Sequence, residues 1–143
     1  MKKNQGFSLL ELLIVVAIIL IIATIAIPSL LRSRQAANES AAVSNLRNLN
    51  TAQVSYSSNH IGAYGAVSDL VAAGLIDSRF SGTLSGYDFV VTLSGNALDY
   101  TATATARAQN DGRFDYYSAP DYVIRYSTTA SRAPSGLTGQ PVR

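Results

Sequence analysis

The sequence predicts an α+β fold in which one long N-terminal α-helix packs on a small antiparallel β-sheet. Three observations carry that prediction. Gly6 to Pro28 is an apolar run broken by one acid, Ala42 to Tyr56 spaces its apolar residues helically, and the chain beyond residue 60 alternates between turn signals. A sheet laid on an amphipathic helix buries both apolar faces in two layers.

Met1 to Gly6 is a short basic leader, with Lys2 and Lys3. Phe7 to Ile27 then reads as helix, apolar on nearly every side as membrane spans are. At ~1.5 Å per residue, about twenty residues cover the ~30 Å hydrocarbon layer of a bilayer. Pro28 removes a backbone donor, so a kink is expected there, with the helix continuing because helical patterning resumes. From Ser29 to about Asn59 the helix turns amphipathic. Ala42, Leu46, Leu49, Ala52 and Tyr56 form one stripe, with Gln53 as a polar intruder; Ser44, Arg47, Asn48, Thr51, Ser55 and Ser58 lie opposite. Such a stripe reads as ordinary core packing.

Asn59 to Gly62 breaks the helix. Val67 to Ala73 predicts a short helix capped by Ser68 and stopped by Gly74. Tyr87, Phe89, Val91 and Leu93 alternate with polar or exposed positions, and Ser94-Gly95-Asn96 is a turn. Tyr100 to Arg107 alternates Ala with Thr, so Ala102, Ala104 and Ala106 form a flat face that lets the helix approach. After the turn at Asn110-Asp111-Gly112, strands are expected over 113–117 and 121–127, the latter with Tyr122, Ile124 and Tyr126 on one face. Short loops favour an antiparallel meander. The globular part is thus 60–127. The tail, 128–143, is rich in Ser, Thr, Gly and Pro without periodicity and reads as a surface segment.

Composition narrows function. The chain has 143 residues and no cysteine, which excludes disulfides and thiolate chemistry. Its net charge of +2 resides in the two leader lysines; nine arginines otherwise face nine acids, which gives no footprint for a polyanion. His60 is the single histidine, without a second His or any Cys nearby, and no phosphate-cradling loop appears, so no enzymatic activity and no cofactor are expected. Asp111, Asp115 and Asp121 raise the question of calcium, yet turn chemistry explains Asp111 and Asp121, and no metal site is assigned. The eight tyrosines read as packing with a wet hydroxyl. Asn38-Glu39-Ser40 matches a glycosylation sequon by residue type only.

Glu11 is different. A carboxylate inside an apolar span costs a few kcal/mol or more, so its default reading is functional, with a partner to be named. The small residue Gly6 precedes the apolar run, so processing there would keep the helix, unlike an ordinary secretory signal.

The stretch KKNQGFSLLELLIVVAIILIIATIAIP, with its basic leader, Gly-Phe junction, acid four residues after the Phe, apolar helix and Pro28, resembles the N-terminus of type IV pilins and of the related pilin-like subunits of type II secretion. The resemblance is close from Lys2 to about Tyr56 and loose beyond. It implies a prepilin with a type III signal sequence, cut between Gly6 and Phe7 by a prepilin peptidase that also methylates Phe7. It implies a precursor in the inner membrane, leader inside and head outside, then a homo-oligomeric helical filament at the cell surface, built with an assembly platform and an outer-membrane secretin. Glu11 would pair with the N-terminal amine of a neighbouring copy. Family members often carry a glycine eight residues before the proline; here Leu20 stands there, which favours a kink over local melting. Adhesion, twitching motility and DNA uptake are the uses the resemblance implies. A pseudopilin of type II secretion and a minor pilin share this N-terminus and stay open as alternatives.

Overall fold

The computed structural model describes residues 7–126 and 139–142. The leader, including Gly6, and residues 127–138 of the expected last strand and tail lie outside them, as does Arg143. The order is α1 (Leu9–Asn59), α2 (Val67–Ala72), a single 3-10 turn (Ser78–Ser81), then β1 (Thr83–Leu84), β2 (Tyr87–Leu93), β3 (Tyr100–Ala106), β4 (Tyr116–Ser118), β5 (Arg125–Tyr126) and β6 (Gln140–Pro141). The six strands pair in sequence order, antiparallel throughout. The fold is therefore the α+β arrangement of a long helix and a small antiparallel sheet.

α1 starts two residues later than the apolar pattern, at Leu9, with the Ser8 carbonyl accepting from Leu12. It stays helical through Leu20 and Pro28. The chain forms two compact units, 1–34 and 35–143. In the first, the large apolar residues from Leu9 to Ile27 are exposed by between 45% (Val15) and 82% (Leu9). In the second, the stripe of α1 turns inward: Ala42, Leu46 and Leu49 are fully buried and Ala52 nearly so.

The inner face of the sheet completes that core. Tyr87, Phe89, Val91 and Leu93 of β2 stand opposite Ala106, Ala104, Ala102 and Tyr100 of β3. On the other side, Ala102 and Ala104 face Ser118 and Tyr116. Three of the four β2–β3 rungs thus set a larger side chain against an alanine. The alanines leave the volume that Phe89 and Tyr116 fill from either side, which is how a close-packed interior accommodates rings.

Buried polar groups on α1 are each answered. Gln53, the polar intruder, donates from Nε2 to the Gly65 carbonyl (2.6 Å) and accepts from the Gly65 amide (3.0 Å), standing in for a strand partner to the loop after the helix. Asn50 donates to Ser118 Oγ (2.8 Å) and accepts from the Tyr100 hydroxyl (2.9 Å), tying α1 to two strands. Left unpaired, each such group would cost about 1–3 kcal/mol.

Several local expectations are corrected. The cap of α2 is Ala66, two residues before the expected Ser68, and the Asp69 carboxylate accepts from the Ala66 amide (2.9 Å). Its end is a Schellman arrangement: Leu75 donates to the Leu70 carbonyl and Gly74, at φ +69°, to that of Val71. The strand expected over 113–117 shifts to Tyr116–Ser118, because Gly112 to Phe114 is held by other partners. The strand expected from Asp121 shrinks to Arg125–Tyr126. Pro120 opens a turn in which Tyr122 donates to the Ala119 carbonyl and takes φ +59°, so Tyr122 points away from the strand face and is 43% exposed. The described end of the tail is a strand: Pro141 and Gln140 pair with Arg125 and Tyr126, and Val142 donates to the Ile124 carbonyl (2.8 Å). β1 was also hidden, being two residues joined to β2 through Ser85-Gly86, both at positive φ as a type I′ turn needs.

Two predictions follow from this core. A Cβ on Gly112 would collide with the hydroxyl of Tyr87, which is itself fully buried and donates to the Phe114 carbonyl (2.7 Å). Gly112→Ala should therefore lose about 1–3 kcal/mol by overpacking. Gly95→Ala, with open space around the new carbon, should change little. Thermal unfolding of the detergent-solubilised chain compares the two.

The second concerns alkaline pH. The hydrogen bond to Tyr122 pushes the Tyr64 phenol up to about 12, burial pushes Tyr116 up to about 12, and burial raises Tyr100 as well. Unfolded tyrosines titrate near pH ~10. The folded chain holds protons that the unfolded chain has released, so stability is intact below pH ~10 and falls as pH rises toward ~12. Unfolding temperature should drop across that window, and phenolate absorbance should show these tyrosines titrating late.

Candidate functional site

The first unit offers chemistry in very few groups. Phe7 is 76% exposed and non-helical, and Glu11 lies in the first turn of α1, two residues after its start. The Glu11 side chain makes no hydrogen bond or ion pair with any described residue. It is the one charged group between Phe7 and Leu31. The eighteen-residue window of α1 that is apolar enough to cross a membrane is 0% buried within the chain. Leaving each such Leu or Ile in water costs ~1.5–3 kcal/mol, so this surface requires lipid or other apolar helices. Pro28 lies inside the helix, where it deprives the Thr24 carbonyl of its backbone donor.

In the second unit the sequence-singled residues are spoken for separately. His60 stacks on Tyr56 (ring centroids 3.8 Å apart) and its Nδ1 lies 2.9 Å from the Tyr56 carbonyl, at the end of α1. Asp115 is buried and accepts from the Ala106 amide (2.9 Å). Asp121 pairs with Arg125, whose guanidinium holds its carboxyl below the usual carboxylate range. Asp111 offers its backbone carbonyl to Asn38 Nδ2 (2.9 Å). These three acids are not gathered, and among the described residues no three His, Asp or Glu side chains form a ligand group. The nitrogen that a sequon would modify, Nδ2 of Asn38, is the same one engaged by Asp111.

The sequence reading missed Glu39. Its side chain is 9% exposed and takes a fork from Arg113: Nε to Oε1 at 3.2 Å and Nη2 to Oε2 at 3.0 Å, with the Arg113 amide adding 2.7 Å to Oε1. With Gln35 donating to the Gln109 carbonyl (2.8 Å) and Asn38 to Asp111, one face of α1 is clasped by the loop after β3. The available signal was position: Glu39 falls three residues before Ala42, on the apolar stripe, where an acid must have a partner.

Comparisons with known proteins agree with this division of the chain. The family model of the prokaryotic N-terminal methylation motif matches residues 1–27. The type IV major pilin protein PilA of Myxococcus xanthus is 50% identical over 54 residues, which cover 38% of this chain and 24% of that protein. The chain therefore spans about a quarter of that relative's length. The type IV wide pilus major component PilA4 of Thermus thermophilus is 32% identical over 110 residues, covering 72% of this chain and 84% of that protein. A methylation motif at the start, an apolar first half of α1 that stays exposed among the described residues, and similarity along most of a pilus component lead to one assignment: the chain belongs to the type IV pilin family.

Proposed function

We propose that the protein is the structural subunit of a type IV pilus, stored in the inner membrane as a precursor and polymerised through the apolar half of α1. The observation that carries this reading is the exposed apolar surface from Leu9 to Ile27, with Glu11 as its single charge. In the precursor, lipid covers that surface. In the filament, neighbouring copies replace lipid, and repeated head-to-tail contact without closure extends an open polymer.

A prepilin peptidase would cut between Gly6 and Phe7 and methylate the new amine, which keeps its charge. Glu11 of one copy would then meet the amine of another. Misregistered helices leave both charges buried and unpaired, so the pair acts as a registry device. Pro28 would bend the helix where the membrane half gives way to the head. An assembly platform would build the filament and an outer-membrane secretin would let it out. Similarity to two pilus major components favours this use over a secretion pseudopilus or a minor subunit.

The decisive experiment is intact-mass spectrometry and electron microscopy of filaments sheared from the native host. A dominant species beginning at N-methyl-Phe7 within long filaments is expected. Sheared filaments that lack the chain, with processed protein kept in membranes, would refute the reading. Glu11→Ala should insert and be cleaved normally yet yield few filaments. Wild-type filament abundance from that variant would remove the registry role.

A further inference from the structure

We infer that the open edge of β2 at Val91 and Leu93 is a pairing surface for β2 of a second copy, joining two filaments side by side; this rests on the filament reading above. The argument begins with hydrogen-bond phase. Arg107 donates to the Gly86 carbonyl, and Ser94 to that of Asp99. With Tyr87 opposite Ala106 and Leu93 opposite Tyr100, these bonds bracket the β2–β3 ladder and fix its alternation. Asp88, Val90 and Thr92 therefore aim their N–H and C=O groups at β3. Tyr87, Phe89, Val91 and Leu93 aim theirs the other way.

On that other side β1 pairs only with Tyr87 and Asp88. Phe89 is buried at 6% exposure beside Phe80 (ring centroids 5.4 Å apart). Val91 and Leu93 are half-exposed, Val90 is 53% exposed, and no described backbone group bonds to the outer N–H and C=O of Val91 or Leu93. Sheets normally guard such an edge with a charge, a proline or a bulge. Between Phe89 and Leu93 there is no charged residue and no proline, and the register with β3 is unbroken. The opposite edge of the sheet is guarded: β6 is two residues long and contains Pro141, which has no N–H to give.

This asymmetry selects the occupant. A head-to-tail joint of β6 onto β2 would lack a donor at Pro141. A second β2, running antiparallel, supplies donors and acceptors in the same phase. Centring the pair on Thr92 sets Val91 opposite Leu93 of the other copy, and Leu93 opposite Val91, each as a hydrogen-bonded pair. Thr92 then faces its own counterpart in a non-hydrogen-bonded pair, without charge on either side. Such a contact is two-fold. Repeated head-to-tail contact relates the subunits of one filament by a screw, so a two-fold contact of this kind joins subunits of neighbouring filaments. One contact of this size is weak; repetition along two filaments multiplies it.

The test uses filaments of the full chain, which has no cysteine of its own. Thr92→Cys places two thiols across a non-hydrogen-bonded pair, ~4.5 Å between Cα atoms, within the ~4.4–6.8 Å a disulfide tolerates. Thr105→Cys, exposed on the same sheet face but on the interior strand β3, is the control. Mild oxidation should give about tenfold more covalent dimer from Thr92→Cys, because only there is the required spacing met. Thr92→Lys should leave filament length and yield unchanged while paired filaments in micrographs become single, since like charges directly opposite destabilise a strand pair. Equal crosslinking from both thiols, Thr92→Lys filaments that still lie paired, or wild-type filaments that are always single would each overturn the inference while leaving the pilus reading standing. A wild-type chain that builds no filaments would overturn both.

Discussion

A single helix has to satisfy two solvents, and the rest of the molecule is arranged around that constraint. From Leu9 to Ile27 the large apolar side chains of α1 stay exposed among the described residues. From Glu39 to Gln53 the same helix is the spine of a packed domain, with Ala42, Leu46 and Leu49 at zero exposure. Helical propensity alone does not separate the two halves, because both are helical. What separates them is the width of the apolar surface: all round in the first, a single stripe in the second.

In the head, specificity comes from polar groups placed on that stripe. Leu and Ala packing tolerates small slides, whereas the Glu39–Arg113 fork and the Gln53–Gly65 and Asn50–Ser118–Tyr100 bonds each admit one geometry. Breaking any of them leaves a buried donor or acceptor without water. A cysteine-free domain has no disulfide staple, so these bonds and the interlocked rings of Phe80, Phe89, Tyr87 and Tyr116 hold it. Glu39 is held mainly by geometry: three donors converge on it, which compensates the cost of burying a carboxylate.

Much of this was legible in the sequence wherever a period repeated. The span, the stripe of α1, and strands β2 and β3 follow directly from 3.6- and 2-residue patterns, and β2 and β3 match to within a residue. What escaped was set by partners distant in the chain. β1 and β6 are two residues each, too short to show alternation, and exist because β2 and β5 offer an edge. The alternation at Tyr122, Ile124 and Tyr126 was real, but Pro120 and the Asx bond from Val123 to Asp121 made a turn of its first half. Local turn chemistry outcompetes a two-residue period when only a short strand would result. The candidate site was legible for the opposite reason. An acid in an apolar run conflicts with its surroundings whatever the fold, so Glu11 is conspicuous in the sequence alone.

Magnitudes explain why one acid suffices in the proposed filament. Apolar packing between helices is worth much in total but changes little when a helix slides by one turn, about 5.4 Å. A carboxylate and an amine ~4 Å apart attract by ~4 kcal/mol at an effective dielectric near 20. Sliding one turn across the contact increases the separation to ~7 Å and removes about 40% of that attraction, before counting the water each charge no longer has. Affinity can therefore come from the apolar residues of α1 and register from Glu11. A second buried charge would add desolvation cost without adding much discrimination, and the sequence from Phe7 to Leu31 has none.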